Sequence, residues 1–453
     1  YGAICAALCA PGAVHVFFGI CVRIAARSKR DVPVLEVARD KYPKKQTALV
    51  ACMALKCDED IDAAYDKIMT VMYASMSDDM YYGILADCVS GYTPDEATKK
   101  INGLNLPAHT FFLLRRSAED RKRGAIVAFN KAILSGNYSD YACAAGETAP
   151  FEYVITLDSD TSIINAERLV GIMEHPYNSR YAVMSLSPCC SFSGRKTLFS
   201  LIEGDNAGIS HYGGGAGALA KISGIACYSG KGIYRAREFD QRTGSAFPAG
   251  KVLSHDFIEG ALASCGDSGV VALEECPLTS ASYYARAERW MRGDIQSLPY
   301  IPSSARDATG GRRGSKMPAA AKAIAADNAI RILVPPASLA ALCVSVLSGE
   351  GYLLFFALLP YVVSFVLTLS SLFSSTGETV RGSLRILISV IYLPHMAFVC
   401  LTAAFTASVR MLRGKNLMAW TAFSPSGGRR PLFVANILFG VALTVSFAFT
   451  SSA

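Results

Sequence analysis

Two kinds of apolar run divide this chain. Long uncharged runs stand towards both ends, and short apolar runs alternate with amphipathic stretches between them. Residues 2–22 (GAICAALCAPGAVHVFFGICV) carry no Asp, Glu, Lys or Arg, and a bilayer takes about 20 apolar residues to cross. The basic stretch Arg23–Arg30 follows at once. Positive charge gathers on the cytoplasmic side, and a signal peptide would carry its charge before the apolar run. The segment therefore reads as an anchor.

The middle reads as strands alternating with helices. Thr47–Leu55 is a buried strand, Asp58–Ser75 an acidic amphipathic helix, and 80–90 a strand that ends at Asp87. Pro94–Asn102 is a helix, 109–116 a strand, and 119–134 a basic helix beginning near Gly124. Tyr153–Leu157 is the next strand, followed by a helix at Asn165–Met173 and a strand at Tyr181–Ser187. The stretch 199–220 is mixed and ends in a glycine run, 213–218, read as a flexible loop; 227–239 reads as a loop with a short helix. A helix opens within 253–266 with an Asp near its start, 269–277 is a late strand, and 283–301 is a long basic, aromatic helix. This alternation predicts an α/β fold with a doubly wound, mostly parallel sheet.

Residues 301–318 are rich in Gly, Ser and Arg and read as a mobile connection. From Ala319 an amphipathic helix leads into apolar spans near 332–348, 352–373, 383–406 and 431–450. Four simple crossings from a cytoplasmic domain would put the basic loop 410–430 outside, against the charge bias. The stretch 383–406, broken by Pro394 and followed by Arg410 and Arg413, is therefore expected to lie in the interface or to re-enter. The expected domains are an anchor with its basic flank (1–30), a cytoplasmic α/β domain (31–301), a mobile loop with an interfacial helix (302–331), and transmembrane or interfacial α-helices (332–453).

Composition agrees with this division. The 453 residues are 51% hydrophobic and only 18% charged, with a mean hydropathy of +0.29, too apolar for an ordinary soluble protein. The chain starts on Tyr1 and ends soon after an apolar run, which suggests a fragment of a longer protein. The net charge is +7. Basic clusters that abut apolar spans suit the anionic headgroups of membrane lipids, and nothing interleaves aromatic and basic residues as a nucleic-acid binder would. The 14 cysteines are scattered, without a CxxC pair, and are expected to be reduced and buried as small apolar residues.

The strand 153–157 ends in two carboxylates, Asp158 and Asp160. Side chains two apart on a strand share a side, so both converge beyond its C-terminal edge, where open α/β sheets bind ligands. Two hard oxygen donors suit Mg²⁺ or Mn²⁺ completed by substrate phosphates. Strand-end Asp residues also cap turns, so the pair alone leaves both readings open. The glycine run lacks the Lys-Ser/Thr of a P-loop and does not fit a dinucleotide fingerprint.

Four features stand in order: Asp87, then Asp158 with Asp160, then His255-Asp256, then Arg286, Arg289 and Trp290. This order resembles the membrane-embedded processive glycosyltransferases of the cellulose and hyaluronan synthase type. The stretches RKRGAIVAFNKAI, YVITLDSDT, RLVGIMEHPYN, YSGKGIYRAREF, LSHDFIEGALASCG and ARAERWMRGDIQSLPYI are similar to the glycosyltransferase domain of cyclic β-1,2-glucan synthases. That resemblance implies a GT-A-like fold flanked by transmembrane α-helices in the inner (plasma) membrane. It also implies an inverting transfer of glucose from UDP-glucose to a growing glucan acceptor, and further carbohydrate-active domains in the full-length chain.

On that resemblance Asp87 contacts the uridine of the donor, and Asp158 and Asp160 hold Mg²⁺ (or Mn²⁺) against its diphosphate. Asp256 is the general base; its alternative is a helix cap. Arg286 and Arg289 pair with phosphate and Trp290 offers a platform to an acceptor sugar; the alternative is a helix that extends its arginines into lipid headgroups. Arg286 stands where cellulose-type relatives have Gln. Lys122 and Arg123 approach the nucleotide from a helix start, or form a solvated basic face. Gly230 and Lys231 form a tight loop beside the acceptor or donor sugar. His255 orients or tunes Asp256. Asp294 is a further polar contact or a surface ion pair. The other readings are a synthase of another β-linkage, and an inactive transport or scaffold protein.

Overall fold

The computed structural model describes residues 2–29, 34–37, 45–74, 77, 79–191, 197–204, 216–314, 316–370, 375–419, 438, 440 and 441. The apolar span expected at 431–450 lies almost wholly outside the described residues, as do 213–215 of the glycine run. The last residues of that run are helical.

The strands are β1 Thr47–Leu55, β2 Met80–Cys88, β3 Thr110–Arg115, β4 Tyr141–Gly146, β5 Tyr153–Asp158, β6 Ser162–Ile163, β7 Val183–Cys190, β8 Gly232–Arg235 and β9 Cys265–Glu274. The first helices are α1 Gly2–Arg27, α2 Asp58–Ala74, α3 Pro94–Asn102, α4 Arg121–Ser135, α5 Ala166–Glu174, α6 Leu198–Glu203 and α7 Ala216–Ser223. They are followed by α8 Ala236–Thr243, α9 Asp256–Ala263, α10 Ser280–Ser297, α11 Ala319–Ser348, α12 Gly351–Leu369, α13 Thr376–Ile391 and α14 Leu393–Arg413.

Among the described residues these strands form one sheet in the order β4-β3-β2-β1-β5-β8-β7-β9-β6. β3, β2, β1 and β5 are mutually parallel, as are β7 and β9, while β4, β6 and β8 pair antiparallel. Helices cover both faces. On β1, Leu49 and Ala51 pack with Ile61, Ile68 and Leu169 of α2 and α5, while Ala48 and Val50 pack with Ile126, Phe129 and Phe239 of α4 and α8. Burying one such aliphatic or aromatic side chain is worth about 1.5–3 kcal/mol. The α/β fold read from the sequence is therefore the fold observed.

Chain order reverses at β1: β2 and β3 lie on one side of it and β5 on the other. Ligand crevices of open α/β sheets form at such a switch point, beyond the carboxyl ends of the strands. Asp87 and Asp158 stand there, opposite Ala54 and Cys52 of β1 respectively.

Three short strands depart from the expectation. β4 is an Ala-rich edge, β6 has two residues, and β8 lies inside the stretch read as a loop. Helix α4 starts at Arg121, before Gly124, because Asp120 adopts a left-handed φ of 59° and turns the chain early. Gly124 sits within the helix because a Cβ there would stand 2.1 Å from the Glu119 carbonyl oxygen.

The cysteine expectation also needs correcting. Cys190 and Cys276 form a disulfide with a Cα–Cα distance of 5.6 Å, because the parallel pair β7 and β9 brings their ends together. Cys5, Cys143, Cys265 and Cys400 are free and buried.

Helices α1, α11, α12 and α14 are long and apolar enough to cross a membrane. The stretch 383–406 is two elements. The helix breaks at Tyr392, and Pro394 occupies the first turn of α14, where its missing N–H removes no helical bond. α13 lies beside α6, with Arg385 donating to the Glu203 carbonyl at 3.2 Å. α14 runs along α10: Tyr284 meets His395 edge to face, Met291 meets Cys400, and Arg292 donates to the Ala419 carbonyl at 3.1 Å.

Candidate active site

The centre of the site is Asp158, at the end of β5. Its Oδ1 pairs with Lys122 from the first turn of α4, and its Oδ2 lies 3.3 Å from the Lys231 Nζ. Burial raises the Asp158 carboxyl, but Lys122 and Lys231 outweigh it and hold the group well below the usual carboxylate range. Burial opposes the Lys122 charge, but Asp158 and Asp256 hold its ammonium above the ordinary lysine value. Lys122 also donates to the Gly230 carbonyl at 2.8 Å, and the Thr156 hydroxyl donates to the same oxygen at 3.4 Å. Asp160 is exposed on the turn that follows. Beneath them, burial pushes the Cys52 thiol up to about 12, so it stays neutral.

Gly230 joins this centre to Asp256. Its φ is +77°, and a Cβ there would stand 2.5 Å from the Asp256 Oδ1. Asp256 is the first residue of α9; the cap position is His255, whose side chain makes no capping bond. The helix-cap alternative for Asp256 therefore does not describe its place. Its carboxylate is half-buried and 3.5 Å from the His255 Nδ1.

Behind Asp256 runs a buried charge network that the sequence reading missed. His255 Nδ1 lies 2.9 Å from Glu259 Oε2, and Glu259 Oε1 accepts from Arg123 Nε at 3.2 Å. Arg123 donates to Asp120 at 2.6 Å and stacks on Phe247, and Asp120 accepts from the Gly250 N–H at 3.0 Å. Burial lowers the His255 value, but Glu259 and then Asp256 outweigh it and raise it. Burial raises the Glu259 value, but His255 and Arg123 outweigh it and lower it. Arg123, expected at the nucleotide, thus lies buried among these carboxylates, while its neighbour Lys122 reaches the Asp158 centre.

Asp87 is held by Arg115, with Nε on Oδ1 at 2.7 Å and Nη2 on Oδ2 at 2.5 Å. Each residue is only 7% exposed. Arg115 also donates to the carbonyls of Glu119 and Arg121, both at 3.1 Å. It thereby ties the end of β2 to the loop that delivers Lys122.

On the other side, Glu274 ends β9. It pairs with Lys231 and lies 3.8 Å from the Arg286 guanidinium. Arg286 stacks on Trp290 one turn later, 4.5 Å from the ring centroid. Arg289 is half-buried on the same helix. α10 also braces the corner before Asp256. Gln296 accepts from the Leu253 N–H at 2.9 Å, and Gly293 permits close approach of Ser254, to which a Cβ would come within 2.3 Å.

The structure thus gathers Asp158, Lys122, Gly230, Lys231 and Asp256, and links Arg286 and Trp290 to them through Glu274. Lys231, expected among the acceptor contacts, lies on the Asp158 side. Arg115, Asp120, Glu259 and Glu274 were not foreseen. Asp158 and Asp160 have the donor chemistry for a divalent cation: two hard carboxylates at an open strand end, one of them held ionised. His255, Asp256 and Glu259 also bring ligand atoms within 4.8 Å of one another, but Arg123 and His255 already engage both Glu259 oxygens.

No protein-family model matches the chain. The cyclic beta-(1,2)-glucan synthase NdvB of Rhizobium meliloti is 30% identical over 222 residues, which are 42% of this chain and 8% of that protein. The glucans biosynthesis glucosyltransferase H of Bradyrhizobium diazoefficiens is 26% identical over 204 residues, 38% of this chain and 25% of that protein. The matched part is thus a minor fraction of each relative. Both relatives bear out the resemblance to glucan-synthase glycosyltransferases.

Proposed function

We propose that this membrane-bound relative of the glucan-synthase glycosyltransferases transfers glucose from UDP-glucose to a growing β-1,2-glucan, with inversion. The observation that carries the reading is the contact of Gly230 with Asp256 on one side and with Lys122, and through it Asp158, on the other. It sets a half-buried carboxylate beside a strand-end carboxylate held by two ammonium groups.

Inversion needs one displacement and one base. Asp256 accepts the proton of the acceptor hydroxyl as that oxygen bonds to the anomeric carbon. The bond from that carbon to UDP breaks with its electrons on the diphosphate. A divalent cation, Mg²⁺ or Mn²⁺, held by Asp158 and Asp160 supplies charge neutralisation for that leaving group. Lys122 and Arg289 add positive charge for the diphosphate, and Trp290 offers its ring to the acceptor. Each Asp87 oxygen keeps a second lone pair beside Arg115 for a uracil N–H.

The basic stretch after the anchor supports a cytoplasmic catalytic domain in the plasma membrane. The length of the NdvB relative leaves room for further carbohydrate-active domains in the full-length protein. The test is UDP release from UDP-glucose by membranes carrying the chain, followed by linkage analysis. The expected product is a β-1,2-linked glucan; another β-linkage makes it a synthase of a different glucan, and no release with any donor overturns the reading.

A further inference from the structure

Five charged groups alternate in sign across the site: Lys122, Asp158, Lys231, Glu274 and Arg286. Both Asp158 oxygens face an ammonium, Oδ1 that of Lys122 and Oδ2 that of Lys231. Lys231 and Glu274 are almost fully buried, 7% and 3% exposed. Lys231 stands between two carboxylates, paired with Glu274 and 3.3 Å from Asp158. A cation arriving at Asp158 therefore meets an oxygen already compensated. Buried like charges brought together repel strongly, because a low-dielectric site screens them little.

We infer that Lys231, tethered by Glu274, is a built-in counter-charge to Asp158 that makes divalent-cation binding conditional on a nucleoside diphosphate. The diphosphate supplies the anionic oxygens to which the Lys231 ammonium turns, leaving the Asp158 Oδ2 for the cation. Lys231 then sits on the leaving group, and Glu274 is the positioning residue that sets how far it reaches. This assignment rests on the proposed cation site at Asp158 and Asp160. It moves Lys231 from the acceptor to the donor side, and it gives Glu274, at the end of β9, the role of holding that ammonium.

Coupling between two ligands is reciprocal, so UDP must tighten the cation by the factor by which the cation tightens UDP. The experiment titrates Mn²⁺ onto the purified full chain in detergent by electron paramagnetic resonance, with and without UDP. Wild type is expected to bind Mn²⁺ weakly alone and about tenfold more tightly, or better, with UDP. Lys231→Met removes the competing charge, so Mn²⁺ alone binds more tightly than to wild type and the UDP effect shrinks. Glu274→Gln leaves Lys231 with Asp158 as its remaining acidic partner, so Mn²⁺ alone binds more weakly. Lys231→Arg keeps the charge and behaves as wild type.

A merely structural role would move Lys231→Met and Glu274→Gln in the same direction. That result, or a Lys231→Met that binds Mn²⁺ no more tightly than wild type, overturns the inference and leaves the cation site standing. The double variant Lys231→Met/Glu274→Gln strands no buried charge between these two residues. It must bind Mn²⁺ more tightly than Glu274→Gln alone, or the inference falls. A wild type that takes no Mn²⁺ even with UDP overturns the cation site itself.

Discussion

Gly230 and Asp256 are in direct contact, backbone against carboxylate: a Cβ on Gly230 would stand 2.5 Å from the Asp256 Oδ1 and 3.1 Å from the Oδ2. The residue also holds a φ of +77°, a region that side chains other than glycine enter at a cost. Gly230→Ala therefore has to push the carboxylate away. Displacement of a reacting group by about 1 Å can lower turnover about a hundredfold. We expect UDP release from UDP-glucose to fall by that order while Mn²⁺ binding in the presence of UDP is kept. A Gly230→Ala enzyme with wild-type turnover would show that Asp256 does not need its present position.

Asp87 and Arg115 pair bidentately while almost fully buried. Breaking such a pair from one side strands a buried charge and costs about 3–5 kcal/mol. Asp87→Asn is expected to lower the thermal unfolding midpoint sharply, and the double variant Asp87→Asn/Arg115→Met to recover part of the loss. Calorimetry of the detergent-solubilised chain reads both. Equal midpoints for Asp87→Asn and wild type would mean that the pair does not support the fold.

His255 holds its proton more tightly in the folded chain than in the unfolded one, because Glu259 and Asp256 outweigh the opposing effect of burial. Arg123 also faces this network through Glu259 and opposes the His255 charge, and Asp120 compensates Arg123. A raised folded value means that the stabilisation is fully present below the unfolded value, about pH 6.5. It is lost as pH rises through the folded value. Unfolding midpoints measured from pH 6 upward should therefore fall with pH in wild type and fall less in Glu259→Gln, which lacks the main partner. Parallel curves for the two proteins would contradict the pairing.

The elements that carry their signal locally were legible. β1, β2, β3 and β5 are mainly apolar runs with charge confined to their C-terminal ends, and α2 and α3 begin with acidic turns, so period and capping place them within a few residues. β4 and β8 were not legible, since YACAAG is rich in alanine and GIYR is four residues long and opens on a glycine two after Gly230, which reads as a turn. Their strand state comes from pairing with β3 and with β5 and β7. The same division holds in the site. Asp87, Asp158 and Asp256 stand at ends of elements and could be picked out. The pairings around them could not, because Arg115 meets Asp87, Lys231 meets Asp158 and Arg123 meets Glu259 from far away in the chain. Glu259 and Glu274 had weak signals. One lies a helical turn after His255, and the other closes an apolar strand as Asp158 does.

The most direct test of the whole account is release of UDP from UDP-glucose by the purified chain with Mg²⁺, compared between wild type and Asp256→Asn. Asn keeps the shape of the side chain and removes its capacity to take a proton, and general-base catalysis contributes about 10²–10⁴-fold. The account predicts steady UDP release by wild type and a loss of that size in Asp256→Asn, with UDP and Mn²⁺ binding unchanged. Wild-type turnover in Asp256→Asn would contradict it.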